Sequence, residues 1–262
     1  MRIELLLSLL TAGLFGLSLG SFLNVLIYRL PRKESIVFPG SHCPVCGAPI
    51  KHRDNIPIVG FILLRGRCRE CSTTISWRYP LIEFITACMV MVLFVQNGLS
   101  VNFFAETTLG AILLTSAFID LQHMIIPDRL TYPGFLIAVV FSFRWGWNGI
   151  FRGIQGVLAG FFILAFMFLT GKLLFRRDSL GMGDFKLGIV LGFFVGPLWC
   201  FIAVVIAIVI GGTWGLFQLV TGEKKMGQEV PFGPFLAVGG LCVLFFKRHI
   251  LFLVEQYLHT FQ

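Results

Sequence analysis

"SLGMGDFKLGIVLGFFVGPL" (residues 179–198) sets a carboxylate at the mouth of a segment built for hydrocarbon. Asp184 follows Gly181 and Gly183 and precedes Lys186. The apolar stretch beyond them continues without a charge through "WCFIAVVIAIVIGGTWGLF" (199–217). Runs of about 20 apolar residues cross a bilayer core. A charged, unpaired carboxylate near that core costs at least a few kcal/mol. The region therefore reads as membrane helix with an acid kept at its edge for a purpose.

The rest of the chain agrees with a membrane reading. Of its 262 residues, 56% are hydrophobic and only 13% charged, about half the charge fraction of an average soluble domain. Mean hydropathy is +0.87. Phe and Gly each occur 29 times, a composition suited to helices whose backbones approach closely in lipid. The net charge of +8 reads first as topology and then as attraction to the lipid bilayer; no nucleic-acid partner is expected. There is no internal repeat and no low-complexity tract.

The pattern predicts an all-α polytopic membrane protein with about eight transmembrane helices. The spans lie near 4–28, 81–97, 103–121, 130–147, 150–173, 184–197, 198–219 and 232–250. Three parts are expected: a first transmembrane helix (1–28), a small polar, zinc-binding insert (29–80) and a transmembrane catalytic domain (81–262). Positions 4–28 read as an uncleaved helix. Arg2 is the early positive charge, no small-x-small cleavage site follows, and the run ends in basic "YRLPRK" (28–33). The insert carries Arg29, Arg32, Lys33, Lys51, Arg53, Arg65, Arg67, Arg69 and Arg78. Placing it in the cytoplasm puts Arg129, Arg176, Arg177, Lys186, Lys224 and Lys225 on the same side. Arg2, Arg144, Arg152, Lys247 and Arg248 are left outside, as the positive-inside rule requires. Both termini then face outward.

Four of the seven cysteines lie in the insert, in "HCPVCGAP" (42–49) and "GRCRECST" (66–73). Two C-x2-C turns, Cys43/Cys46 and Cys68/Cys71, present four thiolates to one ion in the tetrahedral set that zinc prefers. A reducing cytoplasm disfavours the disulfide alternative. Four sulfurs fill the coordination sphere, so the predicted zinc is structural. His42 and His52 are read as surface residues, and Cys88, Cys200 and Cys242 as small core residues.

Most of the acidic residues fall in polar connections or at outer span ends; Asp54 is one of the former. Glu83, Asp120, Asp128 and Asp184 remain at the cytoplasmic ends of spans. Asp120 and Asp184 are 64 residues apart yet lie on one membrane face. If the third and sixth spans pack together, their carboxylates meet. One can then keep a proton while the other acts as base, which is the chemistry of an aspartyl protease. Plainer readings stand beside this one. Asp184 can be a helix cap with Lys186 an incidental neighbour, Asp120 can pair with Arg129, and Asp128 after Pro127 can cap the fourth span.

The chain resembles the type IV prepilin peptidases, aspartyl proteases with a G-x-G-D signature. The likeness is carried by "GSFLNVLIYRLPR" (20–32), the cysteine pairs, "RYPLIEFITA" (78–87), "IDLQHMIIPD" (119–128), "GMGDFKL" (181–187) and "PFGPFLAVGG" (231–240). The resemblance implies a bacterial inner-membrane enzyme acting on type IV prepilins or pseudopilins. It removes a basic leader after a glycine at the cytoplasmic boundary, then N-methylates the new terminus with S-adenosylmethionine. By motif, Asp120 and Asp184 are the implied catalytic pair. Glu83 is the candidate for methylation, with pairing to Arg78 or an insert lysine as its alternative. A rival class, an ion- or proton-coupled transporter, would use the same carboxylates, but it predicts acids near the midplane and internal repeats.

Overall fold

The structure, a computed structural model, describes residues 2–175, 180–222 and 230–260. Arg176, Arg177, Lys224 and Lys225, expected on cytoplasmic loops, and the side chain of Arg2 lie outside the described residues. Among the described residues the secondary structure is helical. The helices are α1 (Arg2–Arg29), α2 (Val59–Leu63), α3 (Arg78–Asn97), α4 (Val101–His123), α5 (Asp128–Ser142), α6 (Gly146–Phe175), α7 (Met182–Val195), α8 (Pro197–Val220) and α9 (Gly233–Thr260). Two isolated β-bridges close small hairpins in the insert.

Among the described residues six stretches are long and apolar enough to cross a membrane, which makes this a multi-pass membrane protein. One of them, Asp128–Leu173, has 46 residues. As one straight helix it would rise about 69 Å, over twice a bilayer core of about 30 Å. It breaks instead at a 3-10 turn (Phe143–Trp145) and at Gly146, whose φ of 59° favours glycine. The predicted spans 130–147 and 150–173 fall on α5 and α6. The predicted span 184–197 falls on α7, which has 14 residues and rises about 21 Å. The six stretches do not by themselves establish the expected count of eight.

The chain divides into two compact units, Met1–Phe103 and Phe104–Gln262. In the first, α1 packs along α3. A Cβ on Gly16 would lie 2.7 Å from the Ala87 Cα, and one on Gly20 2.6 Å from the Glu83 Cα. This pair of glycines one turn apart brings the two backbones into contact, a packing mode that lipid permits because apolar side chains gain nothing by leaving it. The Asn24 amide donates to the Tyr79 carbonyl at 3.1 Å. Arg29 ends α1 by folding back the chain that follows. Its guanidinium donates to the carbonyls of Ser35 (2.8 Å), Pro39 (2.7 Å) and Gly40 (3.1 Å).

In the second unit α6 and α7 cross through four glycines. A Cβ on Gly156 would lie 1.9 Å from the Gly192 carbonyl oxygen, and one on Gly192 2.2 Å from that of Gly156. Gly160 and Gly188 repeat the contact one turn along, with 2.9 Å from a Gly160 Cβ to the Gly188 oxygen. α8 and α9 close similarly, where a Cβ on Gly239 would lie 2.1 Å from the Ala203 oxygen. The core is built from Leu109, Leu113, Ile119, Leu187, Leu191, Leu236 and Leu244. The most apolar window of α4 is 72% buried, so α4 is a core helix of this unit, and it carries Asp120.

Candidate active site and metal centre

Asp120 lies in the last turn of α4, 5% exposed. Its Oδ2 accepts a hydrogen bond from the Gly233 N–H at 2.9 Å, at the first residue of α9. A Cβ at position 233 would stand 2.7 Å from that oxygen, so only glycine lets the α9 backbone come this near. Helix N-termini present free N–H groups and a positive dipole end, which suits a carboxylate. Asp184 lies in the first turn of α7, 7% exposed. Its Oδ2 accepts the Gly181 N–H at 3.1 Å, while its Oδ1 is buried without a hydrogen-bond partner. The Asp120 charge reaches Asp184 through space. Each carboxylate is thus held by a main-chain N–H rather than bonded to the other.

The local fold explains the spacing of these motifs. After α4 the chain turns through Met124, at φ 52°, to Ile126. A Cβ on Gly183 would lie 2.9 Å from the Ile126 Cβ and 3.2 Å from its nitrogen. The second glycine of G-x-G-D therefore seats the α4–α5 loop against the start of α7. Asp128 opens α5, but the helix has no side-chain cap bond; its carboxylate pairs instead with Lys186. Lys186, far from incidental, ties α7 to α5 and lies 5.4 Å over the Tyr132 ring. Leu121, Met124, Ile125, Tyr132 and Met182 expose apolar surface close in sequence to the two aspartates.

In the first unit the sulfurs of Cys43, Cys46, Cys68 and Cys71 all lie within 4.8 Å of one another. Cys43 and Cys71 are 3.8 Å apart, about the sulfur–sulfur distance of a tetrahedral site with Zn–S bonds near 2.3 Å. Each C-x2-C is the tip of a small hairpin. Cys43 N–H donates to the Ala48 carbonyl at 2.9 Å, and Cys68 N–H to that of Thr73 at 2.8 Å. The residue after each second cysteine is left-handed, Gly47 at φ 71° and Ser72 at φ 58°. The four thiols fit zinc.

Their electrostatics divide. The N–H groups of Cys46 and Val45 pull the Cys43 thiol down to about 6. A main-chain bond at Thr73 lowers Cys71, but burial and the three neighbouring sulfurs outweigh it and push this thiol up to about 12. Of these two thiols one gives up its proton readily and the other does not, the behaviour of four crowded sulfurs that a cation would draw into one thiolate set. His42 and His52 stay outside the cluster. Cys200 is buried, and Cys88 and Cys242 are half-buried.

Two residues have more to do than their sequence context signalled. Asp54 accepts Arg69 at both oxygens, 2.8 Å from Nε and 2.6 Å from a terminal nitrogen. Arg69 lies inside the second C-x2-C, so this bond fastens that hairpin to the 51–55 loop and holds the Asp54 carboxyl below its ordinary range. The spacing of Asp54 from the cysteines gives no hint of it. Glu83 is buried, and its Oε2 accepts the Ile58 N–H at 2.7 Å, with Ser21 bonded to the same carboxylate. Ile58 sits at φ 61°, ψ −50°, a strained setting for a β-branched residue. Glu83 thus pins a strained strap of the insert to α3.

Two family models match the chain: the bacterial peptidase A24 N-terminal domain over residues 14–97 and the type IV leader peptidase family over 107–216. The chain is 32% identical over 256 residues to a prepilin leader peptidase/N-methyltransferase of Aeromonas salmonicida (strain A449), covering 88% of each chain. It is 33% identical over 253 residues to the protein of that name from Neisseria gonorrhoeae, covering 87% of each. A third, from Myxococcus xanthus (strain DK1622), is 38% identical over 180 residues, 69% of this chain and 54% of its own. No solved structure matches the chain.

Proposed function

The chain belongs to the type IV leader peptidase family, and on that premise we propose that it is an aspartic endopeptidase of the bacterial inner membrane. Its substrates are type IV prepilins or pseudopilins, cut after the glycine that ends a basic leader, at the cytoplasmic face. A second activity N-methylates the new terminus. The observation that carries the peptidase reading is the pair of buried carboxylates, Asp120 and Asp184, from distant sequence positions, each fixed by a main-chain N–H.

The chemistry divides between them. Asp120, held at the N-terminus of α9, acts as the base. It takes a proton from water as the oxygen attacks the scissile carbonyl carbon. The unpartnered, buried Oδ1 of Asp184 is the better seat for the proton, since a charged oxygen left there would have no donor. That proton passes to the carbonyl oxygen as the tetrahedral intermediate forms. Asp120 then returns its proton to the leaving nitrogen as the C–N bond breaks, and Asp184 takes a proton back from the gem-diol as the carboxyl C=O forms, which restores both residues. The exposed apolar side chains of Leu121, Met124, Ile125 and Met182 suit the hydrophobic stretch that follows a prepilin leader.

The cysteine cluster holds a structural zinc, and the insert faces the cytoplasm, where it shapes the region that meets the leader. Both termini then face the periplasm. For methylation, S-adenosylmethionine is the donor implied by the relatives' names. The candidate residue is Glu83, but its carboxylate is engaged by Ile58 and Ser21. We assign it to positioning the 55–59 strap, and no step of methyl transfer follows from this geometry.

The deciding experiment is cleavage of a prepilin by the purified protein beside Asp120→Asn and Asp184→Asn. Each single change is expected to lower kcat by about 10²–10⁴-fold or more, and the double change by little beyond that, because the pair acts as a unit. Retention of cleavage by both single variants, with fold and zinc content intact, sinks the proposal.

A further inference from the structure

α5 runs from Asp128 to Ser142 and α7 from Met182 to Val195, so the 143–146 turn and Gly196 lie at the ends of these helices remote from Asp128 and Asp184. Two arginines converge there. Arg144, in the turn, lies 3.7 Å over the Trp145 ring, and Arg152, on α6, lies 5.8 Å from the same ring. Between them is a small cleft of about 10 Å³ bounded by Ser142, Trp145, Phe193 and Gly196. That is room for one water or one oxygen of a larger group.

Capping the preceding helices accounts for part of what the arginines do. Arg144 donates to the Phe141 carbonyl and Arg152 to that of Val195, each at a long 3.3 Å. A guanidinium has five N–H donors in a planar fork, so these two bonds leave most donors unspent, and the Arg144 Nε is buried with no acceptor. The carboxylate acting on Arg144 is Glu106, which is itself ion-paired with Lys247. Arg144 thus shares Glu106 with Lys247 and has Arg152 beside it as like charge. α6 and α8 begin beside the cleft, at Gly146 and Pro197, and add the positive ends of two helix dipoles. Trp145 and Trp147 are exposed at the same level, where indole rings mark a membrane–water boundary.

We propose that this cleft binds the phosphate of an anionic phospholipid headgroup, on the membrane face opposite Asp120 and Asp184, with one phosphate oxygen entering between Arg144 and Arg152. The occupant sets a negative charge against two like charges, the half-buried Arg144 and the exposed Arg152. It also clamps the α5–α6 and α7–α8 turns, and so the far ends of the two helices that carry Asp128 and Asp184 in their first turns.

The test uses the full-length protein in a maltoside detergent, which carries no phosphate. It is supplied with phosphatidylglycerol, phosphatidylcholine or inorganic phosphate, and bound molecules are counted by native mass spectrometry. The wild type is expected to retain one phosphatidylglycerol that Arg144→Gln/Arg152→Gln loses, while Arg248→Gln keeps it. Arg144→Lys/Arg152→Lys, which preserves charge but not the fork, should bind roughly 10-fold more weakly and reports on the site even if the glutamine pair folds poorly. Retention of the lipid by the glutamine pair, or its equal loss in Arg248→Gln, overturns the proposal. So does displacement of phosphatidylglycerol by equimolar inorganic phosphate, which would make the occupant a free anion.

Discussion

The four cysteines and the two aspartates are opposite ways of assembling a site. Cys43, Cys46, Cys68 and Cys71 come from two hairpins, each closed by its own main-chain bonds within six residues, so their geometry is local. Asp120 and Asp184 lie 64 residues apart, and Asp120 depends on Gly233, a further 113 residues along the chain. Their placement rests on which helix surfaces meet. The lesson is that a chelating site can survive damage to the bundle, whereas the aspartate site cannot.

The harshest way to break this comparison is Gly192→Leu. The side chain would enter where the Gly156 carbonyl oxygen is 2.2 Å from an ideal Cβ, so α6 and α7 must part. A loss of about 3 kcal/mol or more is expected, with cleavage abolished and zinc content unchanged. Metal analysis of the purified variant checks this, and loss of zinc along with activity would show that the sites are not independent. Gly233→Ala is the finer cut. Its Cβ would stand 2.7 Å from the Asp120 oxygen, and a displacement of that carboxylate by about an ångström is expected to lower kcat about 10–10²-fold. The melting temperature should barely move; a wild-type kcat would mean that the Gly233 contact does not position Asp120.

Acidification probes the other site. The fold lowers Cys43 to about 6, below an ordinary thiol near 8.5. Its thiolate therefore favours the folded, metal-ready insert fully above the ordinary thiol pKa near 8.5 and progressively less as pH falls toward 6, below which that contribution is gone. Zinc affinity in chelator competition should fall about tenfold or more per pH unit from pH 8 to 7, because Cys71 must give up its proton to the metal, and more steeply below 6, where Cys43 must do so as well. A slope that does not steepen below pH 6 would count against Cys43 as a ligand. If stripping the metal left both cleavage and methylation untouched in intact membranes, the insert would have no share in either. The smallest effect separates the hairpins from each other. Ser72 at φ 58° strains where Gly47 does not, so Ser72→Gly should raise the melting stability of the insert by up to about 1 kcal/mol. Gly47→Ala should lower it by a similar amount.

Much of this was legible in the sequence. Composition announced the membrane, the C-x2-C spacing announced the four-sulfur cluster, and the charges at span edges singled out Asp120, Asp184 and Glu83. Other features were not legible, each for a physical reason. The Asp54–Arg69 bond joins a loop to a hairpin with no spacing rule between them. The Asp128–Lys186 pair looks in sequence like a helix start beside a stray lysine. Glu83 reads as an acid awaiting a ligand until the strained Ile58 amide is seen upon it.

By itself the sequence determined which segments prefer lipid, which carry metal-binding sulfurs and which acids sit at their edges, because those properties belong to residues and short spacings. Only the tertiary structure decided that Gly156 and Gly160 meet Gly188 and Gly192, that Gly16 and Gly20 meet α3, and that α9 brings Gly233 to Asp120. In a bilayer a leucine facing lipid and one facing a helix are in nearly the same chemical surroundings, so hydrophobicity cannot say who packs with whom. That choice falls to close backbone contact, which is a property of pairs of helices in space.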